Sequence, residues 1–379
     1  MRTESHPITA DASGEATTLL VEAFRQALRA GHPAVGTEHL LAALLRGEVA
    51  AKELLVPGGR GAEELLSVVA KDAARWGSED GTDDVVFADH FAVGALLREV
   101  EWSAWQRKTD AEGEPRSDEP RPQATPGLVA AVGRALLGAH ELGVARANAT
   151  HLLLGLLHDP ANRAGEALRA RRLDPDEIRT GLTEHPTARQ DGPWHGDSVT
   201  GLRHLGMLAQ RGPYWSGLAR FLSSGGFGSP MVLTVRREAM RQAVRFGHAQ
   251  VTTAHLVLAM LVVDEQIATF GQRLRKRFAV DNAGAELLRD RGVAPAAAAD
   301  AVADLAPTGE RSRPTDPSLA SGVEDVLHRA RGIASERGTK ATGTNHLLIA
   351  LLAADDDPGT ALLSTLGVDV GELRDALGG

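Results

Sequence analysis

The chain has 379 residues, a formal net charge of −9, 43% hydrophobic residues and only 4% aromatic residues. That length favours two or more domains, and cores built from Leu, Val and Ala suit helices better than sheets. The absence of cysteine excludes disulfides and thiolate metal sites and makes a reducing cytoplasm the simplest home.

A chain of this charge repels nucleic acid unless it carries a local basic patch. The short basic pieces, Arg169 with Arg171-Arg172 and Arg273 to Arg277, read as solvated helix faces. Residues 1–14 hold no apolar stretch of the signal-peptide kind, and no run of about 18 apolar residues exists to span a membrane. The expectation is a cytoplasmic protein with no nucleic-acid and no membrane partner.

In chain order, residues 1–13 read as a loose tail. A first unit, 14–76, begins with an apolar-periodic helix ending at Ala30, and Gly31 follows as a helix stop. Then comes Gly36-Thr37-Glu38-His39-Leu40-Leu41-Ala42-Ala43-Leu44-Leu45. Its apolar residues one, two, five and six places after the histidine form a stripe roughly 140° wide on a helix. A looser stretch from Ala51 to Gly59 and a short helix from Ala62 to Ala74 close the unit.

The segment 77–126 reads as an insertion: a helix from Asp84 to Gln106, then a polar, disordered linker from Arg107 to Pro126. Residues 127–185 repeat the first unit, with a helix before Gly143 and a second helix carrying Ala149-Thr150-His151. Residues 186–230 read as insertion and linker, with helical Val199 to Gln210 and Tyr214 to Leu222 and a flexible joint from Ser223 to Pro230.

Residues 231–306 are a third copy, with Gly247 and Thr253-Ala254-His255, and with extra residues from Val263 to Asn282. After a proline-rich linker, 318–379 are the fourth, with Gly338 and Thr344-Asn345-His346. A glycine stands eight places before every repeat histidine, and a fixed offset held four times marks internal duplication. One helical pair cannot hide its apolar seam alone. Copies one and two are therefore expected to share one core, 14–185, and copies three and four another, 231–379. Near each second-helix start, Thr37, Thr150, Thr253 or Thr344 is placed to accept the free N–H groups of the first turn.

These motifs resemble the N-terminal repeat of Clp unfoldases, over most of the chain. The resemblance implies an all-α fold of two tandem Clp-N-like domains, each a pseudo-twofold pair of four-helix repeats, with inserted helices and flexible linkers. In that family the domain sits ahead of ATPase rings and receives adaptors, substrates and some cyclic-peptide antibiotics. In some members the glutamate of Thr-Glu-His helps to bind phosphorylated arginine. Only Glu38 keeps it here; Thr150, Ala254 and Asn345 stand at the matching positions. No Gly-x-x-x-x-Gly-Lys-Ser/Thr loop occurs within the 379 residues.

The first-turn residues Thr37, Glu38, Ala149, Thr150, Thr253, Ala254, Thr344 and Asn345 are thus the candidate ligand contacts. His39, His151, His255 and His346, with Gly31, Gly143, Gly247 and Gly338, read as structural. Each histidine lies in a separate repeat without a second ligand at metal spacing, so no metal and no cofactor are expected. Trp102, Trp105, Trp194 and Trp215 in the insertions are interface candidates.

No nucleophile elbow and no acid–base set can be assembled, so the chain reads as no enzyme. The leading expectation is a protein that binds peptides, clients or adaptors of the Clp protease system, as adaptor or decoy. Sequestration of cyclic-peptide antibiotics, and a scaffold working through the Trp-rich insertions, are the alternatives.

Overall fold

Each predicted stop glycine ends a long helix in the computed structural model. The structure describes residues 11–47, 50–56, 61–72, 80–81, 90–112, 121–192, 197–209, 229–305, 317–354 and 356–378. Gly31, Gly143, Gly247 and Gly338 have φ of +68°, +71°, +72° and +66°. That left-handed conformation costs glycine nothing sterically. The next residue then donates its N–H back to a carbonyl of the last turn: His32 to Ala27, Val144 to Ala139, His248 to Ala243 and Thr339 to Ala334, at 2.8–2.9 Å.

The backbone contacts divide the chain into two units, Met1–His195 and Gly196–Gly379. In the first, helices α1 (Gly14–Ala30), α2 (Thr37–Arg46), α3 (Ala50–Leu55) and α4 (Ala62–Asp72) are followed by α5 (His90–Glu112). Then come α6 (Pro126–Glu141), α7 (Ala149–Leu156), α8 (Arg163–Ala170) and α9 (Pro175–Glu184). The second unit runs α10 (Asp197–His204), α11 (Pro230–Phe246), α12 (Thr253–Thr269), a short α13 (Lys276–Ala279), α14 (Gly284–Arg289) and α15 (Pro295–Asp304). It closes with α16 (Ser321–Glu336), α17 (Thr344–Leu352), α18 (Pro358–Thr365) and α19 (Val370–Gly378). The fold is all-α; the strands among the described residues are two residues long.

Those short strands tie the repeats together. β1 (Asp11–Ala12) pairs in parallel with β4 (Arg146–Ala147), and β2 (Ala34–Val35) with β3 (Gln123–Ala124). In the second unit β5 (Gln250–Val251) pairs with β6 (Ser318–Leu319). Each pair joins the connection of one repeat to the residues just before the first helix of the other. The exchange runs both ways in the first unit.

Several boundaries differ from the sequence expectations. The tail 1–13 ends in structure: Asp11–Ala12 form β1, and the buried Ser13 hydroxyl caps α1 by accepting from the Ala16 N–H at 3.1 Å. The expected linker Arg107 to Pro126 is helical to Glu112 and is ordered again from 121. There Gln123–Ala124 pair with β2, and Thr125 caps α6. The stretch 186–230 is no uniform linker either. Residues 186–192 pack on the first unit, where Asn148 donates to the Thr187 and Gln190 carbonyls. Residues 197–209 join the second, where Val199, Leu202, Met207 and Leu208 are buried. Backbone pairing and a few buried side chains anchor these segments, and neither shows in composition. The expected helix Tyr214 to Leu222 and most of the joint Ser223 to Pro230 lie outside the described residues.

The second helix of each pair is the centre of its core. In α2 every residue from Thr37 to Leu45 is buried, not only the predicted stripe. Helices α1, α6, α7 and α8 surround it, so no face is left for water. The same holds for α12, buried from Thr253 to Val263. Seam leucines such as Leu44 and Leu156 are 0% exposed. Leu156→Ala is expected to cost roughly 2–5 kcal/mol through lost burial and the cavity left behind. A Tm equal to that of the unaltered chain would contradict this placement.

Candidate functional site

The repeat histidines do one job in all four places. Each stands at the third position of its helix and turns its ring back over the helix start. The N–H of Gly36, Asn148, Thr252 and Gly343 donates to Nδ1 of His39, His151, His255 and His346 at 3.0, 3.1, 3.0 and 2.9 Å. This is the reciprocal half of a capping box, with histidine in the role usually filled by Glu or Gln. In repeats one and three the far ring nitrogen meets a second histidine. Nε2 of His39 is 2.9 Å from Nδ1 of His32, and Nε2 of His255 is 2.8 Å from Nδ1 of His248. His32 and His248 are therefore partners of the capping rings.

The threonine hydroxyls do not cap their own helices as the sequence led us to expect. Thr37, Thr253 and Thr344 occupy the first helical position and reach the opposite repeat of their unit. Ala164 N–H donates to Thr37 Oγ1 at 3.1 Å, Gly359 N–H to Thr253 Oγ1 at 3.0 Å, and Gly284 N–H to Thr344 Oγ1 at 3.1 Å. Each hydroxyl thus satisfies the start of the third helix of the other repeat.

The candidate contact residues are consequently interior. Thr37, Glu38, Ala149, Thr150, Thr253, Ala254 and Thr344 are buried, and Asn345 is half-buried. Several of their polar groups meet partners from the same chain, whereas the buried Glu38 Oε2 and Asn345 Oδ1 accept no hydrogen bond among the described residues. The Ala149 N–H donates to Glu15 at 3.2 Å, and the Thr150 hydroxyl lies 2.7 Å from that of Thr187. Thr253 donates to Asp357 at 2.6 Å. The Thr344 N–H donates to Asn282 Oδ1, and the Asn345 amide to the Val280 carbonyl, both at 3.0 Å.

At α2 the filling group is Asp80, which the sequence reading left inside the 77–126 insertion. Its fully buried carboxylate accepts from the Thr37 N–H at 2.9 Å and the Arg163 N–H at 3.2 Å, and from the hydroxyls of Thr37 and Thr125. Asp80 holds a left-handed φ of 66°, a strain kept only because the surroundings over-determine it. Gly81 and Gly127 permit the approach: a Cβ on Gly127 would lie 1.9 Å from the Asp80 carbonyl oxygen. The Asp-Gly pair signals a turn, but nothing local reveals partners this distant in sequence.

Glu38, the residue singled out for guanidinium binding, already has one. Arg163 Nη1 donates to its Oε1 at 3.1 Å, and His39 Nδ1 lies at the same distance from that oxygen. Burial alone would raise this carboxyl. The adjacent His39 ring, its own backbone N–H and the Arg163 guanidinium together hold it below the usual value.

Of the tryptophans, Trp105 is buried, with the Arg121 guanidinium 4.5 Å above its ring. It pins α5 to its unit and presents no free aromatic surface. Trp102 is half-buried; Trp194 and Trp215 lie outside the described residues. Among the described residues no cluster of metal-ligating side chains occurs, and no helix is long and apolar enough to cross a membrane.

An open recess lies elsewhere among the described residues. In the second unit Arg236 of α11, Leu319, and Glu324, Leu327, His328 and Arg331 of α16 line a crevice of about 320 Å³. Its four polar side chains are exposed over a leucine floor.

Two predictions follow from the closed sites. Burial, then the neighbouring His248, pushes the His255 pKa from 6.5 to about 3, against the opposing Thr252 backbone bond. The unfolded chain takes up this proton below pH 6.5 and the folded chain does not. Stability from this group is whole above 6.5 and is lost as pH falls toward 3. The loss is about 2 kcal/mol by pH 5. His255→Gln keeps an acceptor for the cap and removes the titration. Denaturant unfolding at pH 7 and pH 5 should show a smaller acid loss in the variant; equal losses would refute the linkage. Asp80→Ala strands several buried donors at about 1–3 kcal/mol each. A calorimetric transition of the first unit should drop while that of the second stays.

Residues 279–366, from α13 to the end of α18, match the family model of the Clp repeat (R) N-terminal domain. No curated protein matches the chain. Among solved structures it is similar to the N-terminal domain of the caseinolytic protease associated chaperone ClpD from Arabidopsis thaliana. That similarity has 19% identity over 40% of this chain and 94% of the other, at a TM-score of 0.30. What the comparisons place in this chain is therefore a Clp repeat (R) N-terminal domain signature over residues 279–366 of the second unit.

Proposed function

We propose that this is a non-enzymatic Clp-N-like binding protein, which takes peptide-like or protein partners of the Clp protease system as adaptor or decoy. The observation that carries this reading is the charged, open crevice between α11 and α16. It lies in the unit that holds the family match, while the helix starts have partners within the chain. Recognition through Glu38 would first have to displace Arg163, so phosphorylated arginine is not the proposed ligand. The residues best suited to acid–base work, the four repeat histidines, are committed to helix caps. The proposal accordingly includes no catalytic step.

The test is affinity purification from the native host with the unaltered chain and with Arg236→Glu/Arg331→Glu. A Clp unfoldase, protease or adaptor should be recovered by the first and lost by the second. Added to a purified Clp protease, the chain should raise client degradation as an adaptor or lower it as a decoy. Recovery of no Clp component and an unchanged degradation rate would sink the reading.

The crevice volume, at the lower end of the range for small-ligand pockets, favours one second reading, the sequestration of a compact cyclic peptide. Such a ligand at 100 times its Kd should stabilise the chain by about 2.7 kcal/mol in a thermal-shift screen. No shift at that excess disposes of it.

A further inference from the structure

The two units treat one surface in opposite ways. The crevice residue Arg236 stands eleven places before Gly247, and Glu324, His328 and Arg331 stand fourteen, ten and seven places before Gly338. The same offsets from Gly31 and Gly143 fall on Leu20, Val129, Gly133 and Leu136. Leu20 is 0% and Leu136 1% exposed. In the first unit, then, this face is apolar or small and closed.

What closes it is a helix. α5 packs against both α1 and α6, and its Val93, Leu96, Val100 and Ala104 join their core. Those residues recur at three- and four-residue intervals, which makes one face of a helix. The first unit thus contains a worked example of what fits across a pair of first helices: a helix that buries one apolar face, from Val93 to Ala104.

In the second unit α10 packs on α11 and α12. The face shared by α11 and α16 carries exposed Arg236, Glu324, His328 and Arg331 over Leu319 and Leu327, and exposed Arg237 and Leu233 extend it along α11. Leucines beneath and arginines at the rim are what a helix with an apolar stripe and flanking carboxylates would bury and pair. Arg–carboxylate contacts are the stronger, two-pronged kind of ion pair.

We infer that the α11–α16 face is a docking groove for an acidic amphipathic helix of a partner protein, laid as α5 is laid on the first unit. This rests on the reading of the crevice as the binding site and adds the chemistry of its partner. The units divide their labour: the first fills its groove with its own helix, and the second keeps its groove for another protein.

The test uses the full chain and two labelled helical peptides of about 20 residues. Both carry leucines in the i, i+3, i+7 pattern of one helix face. One is flanked by glutamates and the other by lysines. Fluorescence anisotropy should show saturable binding of the glutamate peptide, at least tenfold tighter than the lysine peptide and weakened by salt. Arg236→Glu/Arg331→Glu, two exposed positions whose variant should keep the Tm, should reverse the preference.

Equal binding of both peptides, binding of neither, or a preference untouched by the double variant overturns the inference. If the peptides fail while the same variant still loses its Clp partner in the purification, the helix is wrong and the crevice stands. If both fail, the crevice is wrong as well.

Discussion

Buried helix starts have to be satisfied, and that requirement organises this protein. An α-helix begins with N–H groups that no residue of the helix can accept, and burying one unpaired costs about 1–3 kcal/mol. Here the central helices α2, α7, α12 and α17 begin deep inside their units. Histidine rings accept the N–H of the cap residue. Three threonine hydroxyls accept from the third helix of the opposite repeat. A repeat therefore cannot complete its own polar bonding, just as it cannot cover its own leucines. Both needs are met by the same act of pairing.

The segments that interrupt the repeats serve the same end. Asp80 brings a carboxylate to the start of α2, residues 187–190 bring oxygens to α7, and Val280 with Asn282 bring them to α17. Carboxylates at helix starts also gain from the helix dipole. The Glu38–Arg163 pair belongs to this set, since it closes across the two repeats a position that would otherwise leave a buried charge alone.

With the helix starts engaged inside the chain, the surfaces between first helices are where the two units differ. One is covered by α5, whose Trp105 lies under Arg121, and the other stays charged and open. A duplicated fold lets such a difference arise cheaply. The change lies in a few outward positions on first helices, Leu20 and Leu136 against Arg236 and Arg331, with the central helices unchanged in design.

The sequence by itself determined the helices, their glycine stops, the fourfold repeat and the leucine seams. Each of these follows from local periodicity or from the conformational freedom of a single residue. It also placed His39, His151, His255 and His346 as structural groups. Only the tertiary structure decided that Thr37 caps a helix more than a hundred residues away, that Asp80 is a buried hub, and that Arg163 occupies Glu38. It also decided that 123–124 form a strand within a stretch that composition marks as a linker. Those facts rest on pairings between distant segments, and a hydroxyl, a carboxylate or an extended dipeptide carries no periodic mark of the partner it will meet.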